Sequence, residues 1–390
     1  MESSPEPHHR LSAARREGER VTPLELFFDL VFVLALTQCT ALMSHDQTWS
    51  GLAQGLLVLG VLWWAWVGYA WLTSVIDPEA EAVRFVIFTA MAALLIVSLC
   101  VQEAFDNLAI TFALGLGVFR AAHIVLFMLA GADDEDLRRS VIGLAVSTAV
   151  AVGLLIIASL FDDLAQGALW ALAIFLDMAG PYFFGAEGWK LVPGHFAERH
   201  GLILIIALGE SIVAIGVGAS GALDLGIGAA AVLGIFLAAA LWWTYFDVVA
   251  LISARRLGEA EAGRAQNELA RDSYSYIHLL MIAGIVLMAF GMKVTIGHHA
   301  EELHDVPAFA LLGGLALYLL GLVAFRYRHV HTLNRQRLGL AIVLLFLVPV
   351  ATAVPALLSL ATAVALIWIV IFYEHRGYGP GRAELRRQAH

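Results

Sequence analysis

The feature that most constrains this chain is a succession of apolar runs of about 20 residues, each long enough to cross a bilayer at about 1.5 Å of rise per residue. They fall near 23–43, 51–73, 83–102, 107–130, 139–160, 165–185, 198–219, 225–250, 273–293, 307–327, 337–354 and 355–373. Composition agrees. Of the 390 residues 60% are hydrophobic and only 14% charged, against about a quarter charged in a soluble domain. A chain in lipid must satisfy its backbone polar groups internally, which leaves helices or closed barrels, and runs of this length select helices. The predicted fold class is therefore all-α: a polytopic transmembrane helical bundle of about twelve spans. Only Pro355 and its neighbours separate the last two runs, so one long kinked helix, giving eleven spans, is the alternative.

Charge placement favours twelve. With the N-terminus inside, every one of the 23 lysines and arginines except Arg120 and Lys293 falls in a cytoplasmic tail or loop. The opposite loops carry Asp46, Glu103, Asp106, Asp162, Asp163, Asp224, Glu301, Glu302 and Asp305. This is the positive-inside pattern, and an eleven-span chain would place the C-terminal arginines outside. The formal charge of −10 is thus sorted by membrane side and points to no nucleic acid. The first apolar run contains Glu25 and Asp29 and no small-residue cleavage site follows it, so it reads as a retained span. Cys39 and Cys100 both lie in apolar runs and give neither a disulfide framework nor a metal site.

The runs also read as two parallel six-helix repeats, at 23–190 and 191–375, between a polar tail at 1–22 and a basic tail at 376–390. Ala35-Leu36-Thr37-Gln38 parallels Ala207-Leu208-Gly209-Glu210, and Trp63-Trp64 parallels Trp242-Trp243. Arg138, Trp170 and Asp177 recur in the same order as Arg335, Trp368 and Glu374. An even number of spans per unit makes such repeats parallel, related by an axis along the membrane normal.

The run Leu24-Glu25-Leu26-Phe27-Phe28-Asp29-Leu30-Val31-Phe32-Val33-Leu34-Ala35-Leu36-Thr37-Gln38 resembles the signature of the bacterial low temperature requirement A (LtrA) family. Glu198-Arg199-His200-Gly201 through Ala207-Leu208-Gly209-Glu210-Ser211, and Asp272-Ser273-Tyr274-Ser275-Tyr276-Ile277-His278, are similar to two further segments of that family. The resemblance implies a multi-pass protein of the bacterial cell membrane, here with both termini cytoplasmic, and implies no particular chemistry. Phe28-Asp29 is also similar to the F-S-D motif of the endolysosomal and bacterial potassium channels. Phe28 stands in place of that serine, and the second half has no Phe-Asp pair.

Ionisable groups inside a bilayer cost about 2.5–3.5 kcal/mol each at a helix centre, so they are the candidate sites. Thr22-Pro23-Leu24-Glu25 reads as a capping box. Asp29 lies one turn deeper on the face of Glu25. It is either an ion pair, with Arg84 or Arg120 at matching depth, or a step in an ion path. Arg120 and His123 share a face of the fourth span and call for a carboxylate, Asp29 or Asp177. Glu210 sits near the middle of the seventh span, as a cation or proton site or as a neutral hydrogen-bonded acid. Gly209 and Gly216 on one face predict a close helix approach there. His278, with Tyr274 one turn before it, is a proton relay or a hydrogen-bonded core histidine. The candidates for an ion path are thus Asp29, Glu210, His278 and Gln38. Those for interhelical pairing are Glu25, Arg84, Arg120, His123, Asp177 and Arg199.

The tryptophans at 63, 64, 66, 71, 242 and 243 read as packing and interface anchors. Residues 251–272 read as a mixed-charge loop. The outer segment His298-His299-Ala300-Glu301-Glu302-Leu303-His304-Asp305 has ligand types suited to zinc or another divalent metal but lacks cysteines and a helix context, so it reads as a solvated loop, with metal binding the alternative. No phosphate-binding loop, metalloprotease helix, nucleophile elbow or dinucleotide fingerprint occurs. The expected function is a channel or secondary transporter for a monovalent cation or proton, not an enzyme, with no cofactor and no metal. The alternatives are a membrane enzyme acting on a lipid or isoprenoid at the inner leaflet, and a non-catalytic scaffold for stress adaptation. The expected partners are the lipid bilayer and the ion, with homo-oligomerisation left open.

Overall fold

The computed structural model of the chain describes residues 20–131, 134–183, 189–219 and 223–387, with side chains to residue 377. Arg10, Arg15 and Arg16 of the polar tail lie outside the described residues. Among those described, regular structure is helical apart from isolated bridge pairing. The helices are α1 (Pro23–His45), α2 (Trp49–Val75), α3 (Glu81–Cys100), α4 (Ala109–Ala130), α5 (Glu135–Ala158), α6 (Asp163–Phe183), α7 (Pro193–Gly218) and α8 (Leu225–Phe246). There follow α9 (Val249–Glu259), α10 (Arg264–Ala270), α11 (His278–Gly297), α12 (Asp305–Ala308), α13 (Gly314–Val330), α14 (Arg335–Ala351) and α15 (Ala356–Arg387). Eleven helical stretches among the described residues are long and apolar enough to cross a membrane. A further apolar helix, α14, has 17 residues and is about 25 Å long.

The last two apolar runs form separate helices. Between α14 and α15 the chain turns at Pro355, where Ala356 N–H donates to the Glu301 carbonyl (2.7 Å) and Leu357 N–H to that of His299 (3.0 Å). At their far ends Asn334 and Arg337 on α14 bond Glu374 on α15. A turn at one end and a side-chain clasp at the other make the pair an antiparallel hairpin. These bonds also tie down part of the His-rich segment 298–305, which is therefore not simply a solvated loop. Among the described residues no group of three or more metal-ligating side chains forms there or elsewhere.

Residues 251–272 are largely helical, against the expectation of a loop. In α9 Val249, Ser253 and Leu257 are buried while Arg255 and Arg256 are exposed, the pattern of a helix lying with one face on the bundle. The α10 helix runs through a π-helical turn, Arg271–Ile277, straight into α11. Mixed charge hid this because the charges line only one side. The C-terminal tail likewise continues α15 to Arg387.

The centre of the bundle is α11, apolar all round and buried along nearly its whole length. It packs against α7, α13 and α1. Close approach to α13 depends on glycine: a Cβ at Gly284 would lie 2.5 Å from Tyr318 N and 2.6 Å from the Gly314 carbonyl. At Gly209 and Gly216 the reverse holds. Nothing lies within 4 Å of a Cβ built at either, so the predicted close approach does not occur there.

Candidate functional site

The α1 and α7 helices run side by side and parallel, because contacts rise in register along both: Glu25 and Asp29 meet Arg199, and Thr37 and Thr40 meet Glu210. Polar groups along this seam form three clusters. The first begins with the capping box. Glu25 Oε2 accepts from Thr22 N–H (2.8 Å), and Thr22 Oγ1 accepts from Glu25 N–H. The carboxylate also does what the motif alone did not announce. Its Oε1 meets His195 Nε2 at 2.7 Å and Arg199 Nη1 at 3.1 Å. Asp29 Oδ1 accepts from Arg199 Nη2 (2.8 Å) and Trp66 Nε1 (2.9 Å). Arg199 stands fully buried between the two acids, with Thr73 Oγ1 3.3 Å away. One cation thus joins α1 to α7 and both to α2. In a low-dielectric interior such a network persists only when geometry and hydrogen bonds are good.

Asp29 therefore pairs with neither of the arginines expected. Arg84 reaches Glu79 on the surface, and Arg120 pairs with Asp177. Depth along a helix carries no information about which helix lies alongside. His195 and Arg199, one turn apart on α7, are the available signal for the true partners.

The second cluster is aromatic and imidazole. Trp66 packs on His200 (5.0 Å between centroids), His200 on His278 (5.3 Å), and Tyr274 stacks on His278 (5.1 Å). Each histidine's tautomer follows from its bonds. His278 Nδ1–H donates to the Ser273 carbonyl (3.2 Å) and its Nε2 accepts from Tyr245 O–H (2.9 Å). His200 Nδ1–H donates to the Phe196 carbonyl (2.8 Å), leaving a buried Nε2 with no partner among the described residues. Carbonyls of the π turn also serve these side chains: Ser275 O accepts from Trp63 Nε1 (2.7 Å), and Ser273 O accepts from the imidazole of His278 as well as from its backbone N–H. Tyr245 and Tyr274 in turn line a cleft of about 790 Å³ together with Glu198 and Arg255. Trp63 and Trp66, being buried and hydrogen-bonded, belong to this core and are not interface anchors.

Glu210 is the third cluster. Both carboxylate oxygens accept from threonines of α1, Oε2 from Thr37 and Oε1 from Thr40. No basic side chain among the described residues comes within 4.0 Å of it, and the neighbouring Ser211 Oγ is buried without a partner. Gln38 points away from this acid and bonds Gln102 instead.

Away from the seam, each half carries one further buried arginine–acid pair. Arg120 binds Asp177 through Nη2 (3.0 and 3.1 Å) and Thr148 Oγ1 (2.6 Å), with Nη1 3.5 Å from the Trp64 carbonyl. Arg337 binds Glu374 through two nitrogens (3.0 and 2.8 Å) and donates to the Thr244 carbonyl (2.9 Å). Sequence reasoning missed Arg337 because it sits at a span boundary, where arginines are ordinary. The acids Glu25, Asp29, Asp177 and the arginines 84, 120 and 199 do not converge on one cavity; they divide into three separate sets.

Fold and site together define a polytopic helical membrane protein whose first and seventh helices are joined by buried charge. The chain belongs to the LtrA family, as the model for bacterial low temperature requirement A protein matches residues 20–372. It is also similar to an uncharacterized protein of Rhizobium meliloti (strain 1021), 26% identical over 94% of this chain and 93% of the relative. No solved structure matches it significantly.

Proposed function

We propose that this protein moves protons or monovalent cations across the bacterial cell membrane along the α1/α7 seam. The observation that carries this reading is Glu210: a mid-span carboxylate between two parallel helices, held directly by the hydroxyls of Thr37 and Thr40, with Lys293 of α11 as an electrostatic neighbour beyond ion-pair distance. Intramembrane acids are expensive, and one held by hydroxyls without a direct ion pair suits reversible binding of a proton or cation. Inward of it, His200 and His278 offer imidazoles between Asp29's partner Trp66 and the cleft behind Tyr245. Ten residues, about 15 Å of helix, separate His200 from Glu210. The buried Leu204 and Ala207 between them are the apolar barrier that transport must open. We read the two six-helix sets as parallel repeats about this seam, with both termini cytoplasmic. The parallel course of α1 and α7 and the matched Asp177 and Glu374 clasps support that arrangement.

The test is reconstitution into liposomes with a pH-sensitive dye inside. Flux under an imposed gradient is expected, with Glu210→Gln reducing it by at least tenfold. Flux that survives Glu210→Gln unchanged removes the residue from the mechanism, and no flux under any proton, sodium or potassium gradient overturns the reading.

A further inference from the structure

Each of the two threonine hydroxyls that hold Glu210 has one hydrogen to give and two acceptors in reach. Thr37 Oγ1 lies against Glu210 Oε2 and, at 3.0 Å, against the Val33 carbonyl one turn back on α1. Thr40 Oγ1 lies against Glu210 Oε1 and, at 2.9 Å, against the Leu36 carbonyl. Both carbonyls sit inside α1 and already accept a backbone N–H, so each hydroxyl can turn either way. Glu210 and Thr40 are both buried, at 2% exposure, so the choice is made within the cluster.

Both charge states of the acid then have a complete set of hydrogen bonds. With Glu210 ionised, both hydroxyls point at the carboxylate and each of its oxygens accepts one bond. When a proton binds at Oε2, an O–H bond forms there and donates to Thr37 Oγ1. The Thr37 hydrogen turns to the Val33 carbonyl, and Thr40 goes on donating to Oε1. Binding at Oε1 gives the mirror arrangement, with Thr40 turning to the Leu36 carbonyl. One hydroxyl rotation separates the states, no heavy atom moves, and no polar atom of the cluster is stranded in either.

A metal cation fares differently. It takes oxygen lone pairs in place of its hydration shell, and oxygens around one ion repel each other and stand apart. Here each carboxylate oxygen is already in direct hydrogen-bond contact with a hydroxyl. An ion would have to break both contacts and part α1 from α7, which Arg199 pins together through Glu25 and Asp29. Among the described residues the titratable groups facing the acid are Cys39 of α1 and Lys293 of α11, and neither is bonded to it. We propose that Thr37 and Thr40 make Glu210 a proton site closed to sodium and potassium, the two hydroxyls being the switch that satisfies the acid with its proton on and with its proton off. This assignment rests on the reading of Glu210 as the binding site of the seam, and it names the ligand.

The full-length protein in phosphatidylcholine nanodiscs is treated with dicyclohexylcarbodiimide, which adds to protonated carboxyls in apolar surroundings, and label on Glu210 is measured by mass spectrometry. Labelling is expected to fall as pH rises and to be equal in choline, sodium and potassium chloride at one ionic strength. A cation that bound there would protect by about tenfold at ten times its dissociation constant. Such protection at fixed pH, or no label at any pH, overturns the proposal. Labelling needs no flux, so a protein that labels as expected but moves no proton in liposomes loses the transport reading and keeps the proton site. Flux together with cation protection does the reverse. The hydroxyls are read by infrared difference spectra between acid and alkaline pH. The carboxyl band that Glu210→Gln removes is expected to move to higher frequency in Thr37→Val and Thr40→Val, and to stay in place in Thr37→Ser and Thr40→Ser. A band that ignores both valines overturns the switch. Should the valine variants fail to fold, the comparison of salts on the wild-type protein decides.

Discussion

Replacing Arg199 by methionine removes the one cation shared by two buried acids. Glu25 keeps His195 and the capping-box donors, so the loss falls mainly on Asp29. That acid would retain only Trp66 Nε1, and its Oδ2 already lacks a partner. Breaking a buried pair from one side costs about 3–5 kcal/mol, since a charge is left uncompensated or must take up a proton. Asp29→Asn leaves Arg199 with Glu25 and Thr73, so it should cost less, about 1–3 kcal/mol. The informative variant combines both changes. Without the charge on Asp29 the missing cation matters less, and the double variant should be more stable than the sum of the singles by about 1–3 kcal/mol. The assay is unfolding in mixed micelles by increasing dodecyl sulfate, followed by tryptophan fluorescence. Costs that add to within about 0.5 kcal/mol would show that Arg199 stabilises by packing and not through Asp29.

Trp66→Phe deprives Asp29 of a donor while keeping most of the ring, and should cost about 1–3 kcal/mol in the same assay. Gly314→Ala puts a methyl 2.7 Å from Met288 N and 2.8 Å from the Gly284 carbonyl, so it should cost about 1–3 kcal/mol by prising α11 from α13; no change in the unfolding midpoint would deny that close approach. Arg120→Lys should destabilise despite keeping the charge, because a point ammonium cannot hold both oxygens of Asp177 and Thr148 at once. A reporter active only outside the cytoplasm should be silent when fused after residue 390 and active when fused near residue 300; the opposite result would invert the proposed orientation.

What the sequence determined by itself was whatever depends on the solvent. Runs of about 20 apolar residues must become helices in lipid, so the fold class and most span limits followed from composition and length. Thr22 through Glu25 was legible for a related reason: a capping box is closed within four residues and needs no tertiary partner. Pro355 marked the break between α14 and α15, whereas the antiparallel clasp of Glu374 by Asn334 and Arg337 came only with the structure. Lateral neighbours were out of reach throughout. Asp29 was given the wrong arginine, because hydropathy is silent about direction around the helix. The mixed-charge stretch before the ninth span hid a helix, since burial on one side only is a tertiary outcome. Glu210, Thr37 and Thr40 show the same division. That a mid-span acid exists is plain from the chain, but that two hydroxyls of α1 hold it, and that Gln38 does not, was decided by how two parallel helices settled against each other.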